Sequence, residues 1–104
     1  MAYQIFIINK GDFKKFITKL DTGSQAKLAR DIDLLQENGP ILKMPFAKKI
    51  HKKLWELRTS GKQKIRIIYS IKKKQIYILH WFIKKSQKIK PKELKIALSR
   101  LTSI

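Results

Sequence analysis

The stretch "KIRIIYSIKKKQIYILHWFI", residues 64–83, holds two runs rich in branched and aromatic side chains, 64–71 and 75–83, parted only by three lysines. Such content favours strands, and so short a connection requires antiparallel neighbours. A third run, "KLWELRT" at 53–59, comes before them across "SGKQ" and extends the pair into a three-stranded meander. Side chains alternate across a sheet, so residue parity sorts the meander into two faces. Trp55, Leu57, Ile65, Ile67, Tyr69, Ile71, Tyr77, Leu79, Trp81 and Ile83 are all odd-numbered. If both hairpins preserve parity, these residues form one apolar face for helices to cover. A three-residue turn at Lys72–Lys74 would do so, setting Ile71 opposite Gln75 and Arg66 opposite His80. The even face then gathers Glu56, Arg58, Arg66, His80 and Lys84 on a floor of Ile68, Ile78 and Phe82. The run 75–83 is apolar on both sides, which places it inside the sheet or beneath the last helix.

The flanking sequence supplies the helices. "YQIFII" (3–8) reads as another short strand. Phe13, Phe16, Ile17 and Leu20 then recur at helical spacing until "TGS" breaks the pattern. Ser24 is the expected N-cap of a second helix with a Leu28, Ile32 and Leu35 stripe, stopped by Gly39-Pro40. Residues 41–51 contain Pro45 and show no clean period, so they read as a connecting segment with a basic end. Pro91 and Glu93 suit the first turn of a closing helix with Leu94, Ala97, Leu98 and Leu101 on one side. The expected fold is one α+β domain over residues 1–104, ordered β-α-α-β-β-β-α, with helices packed on an antiparallel-dominated sheet.

Charge narrows the function. The chain carries 25 Lys and Arg against 7 Asp and Glu, for a net of +18. Residues 1–40 have 6 basic and 5 acidic side chains, whereas residues 41–104 have 19 and 2. An excess this large selects polyanionic partners, and its distribution directs them to the C-terminal part. The lysines do not form the polar face of one long amphipathic helix, so a membrane surface fits poorly. The apolar run near the N-terminus is too short for a signal peptide or a span, and a cytoplasmic protein is expected. No cysteine is present, which excludes disulfides and a thiol nucleophile. His51 and His80 are the only histidines, carboxylates are scarce in the basic half, and no glycine-rich phosphate loop or G-x-S-x-G elbow occurs. No cofactor or metal is expected.

Cleavage of RNA by its own 2′-hydroxyl is chemistry that cations can support, with acid–base help and positive groups around the charged transition state. Lysine can move the proton when neighbouring cations lower its pKa. The plain alternative for the even face is an ordinary ion pair of Glu56 with Arg58 or Arg66 and a hydrogen-bonded His80 in a half-buried sheet. A non-catalytic nucleic-acid-binding module is compatible with the charge alone.

"LWELR" (54–58), "RIIY" (66–69) and "LHWFIKKSQKIKPKELKIALSR" (79–100) together resemble, in order and spacing, the phage-related HigB-like branch of the RelE/ParE toxin superfamily. The resemblance covers residues 50–101 and implies a RelE-like fold. It also implies the toxin of a type II toxin–antitoxin pair, a ribosome-dependent endoribonuclease that cuts mRNA during translation without metal. Arg66 then corresponds to a stabiliser of the scissile phosphate, and Lys84 and Lys85 to catalytic cations at a strand end. Glu56 and Arg58 fall in the family's motif, and His80 is a candidate for proton transfer or for orienting a neighbour. Which of these is acid and which is base stays open. Lys48, Lys49, Lys52, Lys53, Lys72, Lys73, Lys74 and Lys88 are expected to hold RNA by sequence-independent phosphate contacts. The implied partners are mRNA, the ribosome and an antitoxin of helix-turn-helix, HigA-like type. On the same fold a ParE-like toxin would instead inhibit a topoisomerase.

Overall fold

A computed structural model describes residues 2–104, so the expected domain of residues 1–104 is described except for Met1. The meander forms as β3 (Leu54–Ser60), β4 (Lys64–Lys72) and β5 (Gln75–Ile83). They join β1 (Gln4–Ile7) and β2 (Ala47–His51) in one sheet of order β1-β5-β4-β3-β2. β1 runs parallel to β5, and every other pairing is antiparallel. Helices α1 (Lys10–Thr18) and α2 (Thr22–Asn38) cover one face, while α3 (Pro91–Leu101) lies on the other against β5 and β4. The α+β class and the packing of helices on a largely antiparallel sheet agree with the sequence reading. Among the described residues, no helix is long and apolar enough to cross a membrane.

Three local expectations are corrected. Residues 47–51, read as connecting segment, form the edge strand β2, which pairs Ala47 with Leu57 and Lys48 with Glu56. Its lysines and a bulge near Ile50 mask the alternation that would have marked it, and such features are common on exposed edges. The N-cap of α2 is Asp21 rather than Ser24. The Asp21 carboxylate accepts from the Ser24 backbone N–H (2.8 Å) and from the Ser24 hydroxyl (2.8 Å), so Ser24 sits inside the first turn as a donor. At the other end Gly39 closes α2 with φ 56°, where a side chain would also strike the Tyr3 ring.

The third correction concerns β5. The β4–β5 turn has two residues, Lys73 and Lys74, with Lys73 at φ 56°, so Lys72 pairs with Gln75 and Ile71 with Ile76. That register would put Trp81 and Ile83 on the wrong face. A bulge restores it: Tyr69 faces Ile78, Ile68 faces His80, and Leu79 is the extra residue between them. Ile76 and Ile78 therefore join the α1/α2 core with Ile65, Ile67, Tyr69 and Trp81. Tyr77 and Leu79, assigned to that core by parity, pack instead with Leu54, Ile68, Phe82 and Ala97 beneath α3. Arg66 lies opposite Phe82 rather than His80. β5 is interior and carries helices on both sides, as its two-sided apolar composition requires.

The bulge has a second effect. It turns Leu79 and His80 toward the same side, where α3 holds both. Arg100 Nη1 donates to the Leu79 carbonyl (2.8 Å), and the guanidinium lies 5.6 Å from the Trp81 ring centroid. His80 Nε2 meets Glu93 Oε1 at 3.0 Å. The two ends of α3 are thus tied to one irregularity in β5.

Candidate functional site

α3 packs on β4 and β5, and the neighbouring part of the same sheet face carries charge. The register places Glu56 beside Ile68, and Arg58 beside Arg66, on the even side of β3 and β4. Lys48 of β2 is opposite Glu56. At the end of β5 the Lys84 N–H donates to the Lys64 carbonyl (2.7 Å), which fixes the start of the segment 84–90 beside the β3–β4 turn.

Glu56 is the anchor. Its carboxylate stands 3.6 Å from Arg58 Nε and 3.8 Å from Arg66 Nε, with side-chain exposures of 3%, 26% and 4% for Glu56, Arg58 and Arg66. Both separations suit charge attraction and exceed a hydrogen bond. Glu56 Oε2, Arg58 Nε and Arg66 Nε are buried without a hydrogen-bond partner in the protein. Arg66 Nη1 donates to the Ile65 carbonyl (2.9 Å), which holds the guanidinium against its own strand. One carboxylate therefore serves two guanidiniums in a largely water-free setting, and positive charge is left over.

That excess reaches Lys84. Burial pushes the Lys84 ammonium below its ordinary pKa; Glu56 opposes the shift, while Arg66, Arg58 and Lys48 add to it. Burial likewise lowers Arg66, against the pull of Glu56 and with the push of Arg58. Arginine remains charged at any working pH, whereas a lowered lysine comes nearer to proton exchange.

Above this cluster lies a groove of about 670 Å³ lined by Arg58, Lys62, Gln63, Lys64, Arg66, Ile83, Lys84, Lys85, Ser86 and Gln87. A second depression shares Lys84 and Lys85 and adds Lys88, Lys90, Lys92 and Glu93. The structure thus brings together Glu56, Arg58, Arg66, Lys84 and Lys85, with Lys48 and Lys88 at the margins. His80 lies elsewhere: it faces Ile68 in register, stacks on Phe82 at 5.6 Å and bonds Glu93, outside the lining of the groove. Lys49 lies over the Trp55 ring, 5.3 Å from its centroid. Lys52, Lys53, Lys72, Lys73 and Lys74 cluster at the far end of the sheet, where the Ser70 hydroxyl bonds the Lys53 carbonyl. Along β4 five residues stand between Arg66 in the groove and Lys72, a separation of about 20 Å at ~3.3 Å per residue.

Lys62, Gln63, Lys64, Ser86 and Gln87 were not singled out in the sequence. The hairpin "RTSGKQKIR" gives the signal that finds the first three: once Arg58 pairs with Arg66, its turn stands next to both. Ser86 and Gln87 follow from Lys84 being pinned to Lys64.

No curated protein matches the chain. The family model described as Phage derived protein Gp49-like (DUF891) matches residues 15–102, from within α1 to just past α3. That span contains the anchored guanidinium pair, the groove and every strand of the antiparallel part of the sheet. The chain accordingly belongs to the Gp49-like family of phage-derived proteins, a toxin-type family.

Proposed function

We propose that this chain is the toxin of a type II toxin–antitoxin pair and that it cleaves mRNA on the translating ribosome by metal-independent attack of the 2′-hydroxyl. The observation that carries the reading is the Glu56-anchored pair Arg58 and Arg66 beneath the groove that also holds Lys84. The scissile phosphate binds there. As the 2′-oxygen attacks phosphorus and the bond to the 5′-oxygen breaks, negative charge grows on the phosphoryl oxygens. Preorganised cations in a site poor in water stabilise that charge more than they stabilise the ground state. Arg58, the more exposed guanidinium, touches the phosphate, and buried Arg66 raises the potential of the floor. Lys84, with its proton held less firmly, exchanges a proton with the reacting oxygens, and Lys85 neutralises the adjoining phosphate. The products are a 2′,3′-cyclic phosphate and a free 5′-hydroxyl. His80 keeps α3 seated rather than moving the proton. The distant cluster of Lys52, Lys53 and Lys72–Lys74 meets ribosomal RNA, and an antitoxin of helix-turn-helix type silences the toxin by covering the basic groove.

Wild-type protein added to translating ribosomes without added metal should yield discrete cuts in primer extension. Lys84→Met and Arg58→Ala should each slow cutting by ~10²–10⁴-fold while leaving the far-ultraviolet circular dichroism unchanged. Intact message with blocked DNA supercoiling would favour the ParE-like alternative. Intact message with salt-sensitive RNA binding would leave only a binding module.

A further inference from the structure

The charge count along the sequence directs a polyanion to residues 41–104 and treats the N-terminal helices as neutral. In three dimensions this division breaks down. The β3–β4 turn sits against the α1–α2 junction, where Gln63 Oε1 accepts from the Asp21 backbone N–H at 3.4 Å. A depression of about 320 Å³ opens there between Lys19, Leu20, Asp21, Lys62 and Gln63, and it shares Lys62 and Gln63 with the main groove. Lys27 of α2 reaches the same turn: a methyl group on Gly61 would stand 3.1 Å from Lys27 Nζ. Three lysines, from the C-cap of α1, from α2 and from the turn, therefore converge beside the groove. The carboxylate lining the depression, Asp21, accepts from the Ser24 N–H and hydroxyl; those bonds and the charge of Lys62 hold it ionised, below the usual carboxylate range, so it offsets one of the three positive charges and leaves the other two.

We propose that Lys19, Lys27 and Lys62 form a phosphate subsite for single-stranded RNA, continuous with the main groove and built on the N-terminal helical hairpin. The subsite rests on the reading of that groove as the RNA site, and it names the path of the strand on one side of the scissile phosphate. The bond from Asp21 N–H requires the oxygen of the Gln63 amide, so the NH₂ end is the one left to face the groove as a donor. Every basic group along this path is a donor too, which suits phosphate and ribose oxygens. An acidic protein would find the same charge, but RNA is favoured because the depression shares Lys62 and Gln63 with the groove that binds the scissile phosphate, so one strand can run through both.

The test uses full-length protein and a ten-nucleotide, uniformly 2′-O-methylated oligonucleotide, which cannot be cleaved by its own 2′-hydroxyl. Its dissociation constant is measured between 50 and 200 mM salt for three proteins: wild type, Lys19→Gln/Lys27→Gln/Lys62→Gln, and a charge-matched control at exposed lysines outside the groove, Lys10→Gln/Lys14→Gln/Lys95→Gln. Each lost single-strand phosphate contact lowers the slope of log K against log salt by about 0.7, so the first variant should lose about 2 and the second nothing. Equal slopes for the two variants, an unchanged slope for the first, or failure of wild type to bind the oligonucleotide would overturn the subsite. Message cleavage on ribosomes is scored separately. Cleavage by wild type with an unchanged slope in the first variant refutes the subsite alone; intact message with the expected loss of slope refutes the nuclease alone.

Discussion

Replacement of Glu56 by Gln tests the site's construction directly. The substitution keeps shape and removes the charge that faces Arg58 Nε at 3.6 Å and Arg66 Nε at 3.8 Å. At an effective dielectric constant near 20, each of those pairs has a Coulomb attraction of about 4 kcal/mol before desolvation is counted. Arg58 is a quarter exposed and recovers most of its share by turning toward water. Arg66 has no such route, being 4% exposed and bound to its own strand through the Ile65 carbonyl. An uncompensated buried charge costs ~3–5 kcal/mol, and for a domain near this size each kcal/mol lowers the melting temperature by ~4–8 °C. Glu56→Gln should therefore melt at least ~12 °C below wild type, with a matching drop in the urea midpoint read by tryptophan fluorescence. Adding Arg66→Met removes the stranded charge and should restore part of the loss, because an apolar replacement of a buried pair is often neutral. A loss under ~1 kcal/mol for the single variant, or a double variant no more stable than the single, would refute the view that Glu56 holds Arg66 in place.

The remaining expectations use other parts of the fold. Because Lys48 helps to lower Lys84, Lys48→Gln should raise the Lys84 pKa and move the alkaline rise of single-turnover cleavage to higher pH; no shift would remove Lys84 from proton transfer. The sign follows from like charge disfavouring the protonated amine, so removing it lets the proton stay on to higher pH. Arg100→Ala should cost about 1.5–3 kcal/mol by freeing the Leu79 carbonyl, and hydrogen exchange should quicken in α3 while the α1/α2 core stays protected. Thr59→Val leaves the buried Asp31 Oδ2 without its donor at 2.7 Å and should destabilise by about 1–3 kcal/mol in urea denaturation.

Residue types alone made the meander and its even-side charges legible, since β3 and β4 alternate cleanly and Glu56, Arg58 and Arg66 keep one parity through a regular register. β5 was harder. Both of its faces are apolar and buried, so no polar residue marks which side is out, and the extra residue at Leu79 leaves no trace in the alternation. β2 was hidden by Lys48 and Lys49, which tolerate an edge but obscure its period. His80 fell on the groove's side by parity yet belongs to α3, because the helix that claims it begins only after the lysine segment and its docking is a tertiary matter. Lys19 and Lys27 escaped notice for a related reason: a charge count along the chain cannot see the turn that folds beside them.

The bulge in β5 also bears on what changes in length the gene can accept. If the Leu79 codon were lost, Tyr69 would still meet Ile78 and Ile68 would still meet His80, so the hairpin would close into a regular ladder with every partner kept. Trp81, Phe82 and Ile83 would keep their sides, and the cations beyond them would still reach the groove. The lost features would be one buried leucine and the carbonyl that receives Arg100. Such a deletion should loosen α3 while sparing the groove, which makes a one-codon deletion a cleaner way to separate the helix from the site than any substitution in either.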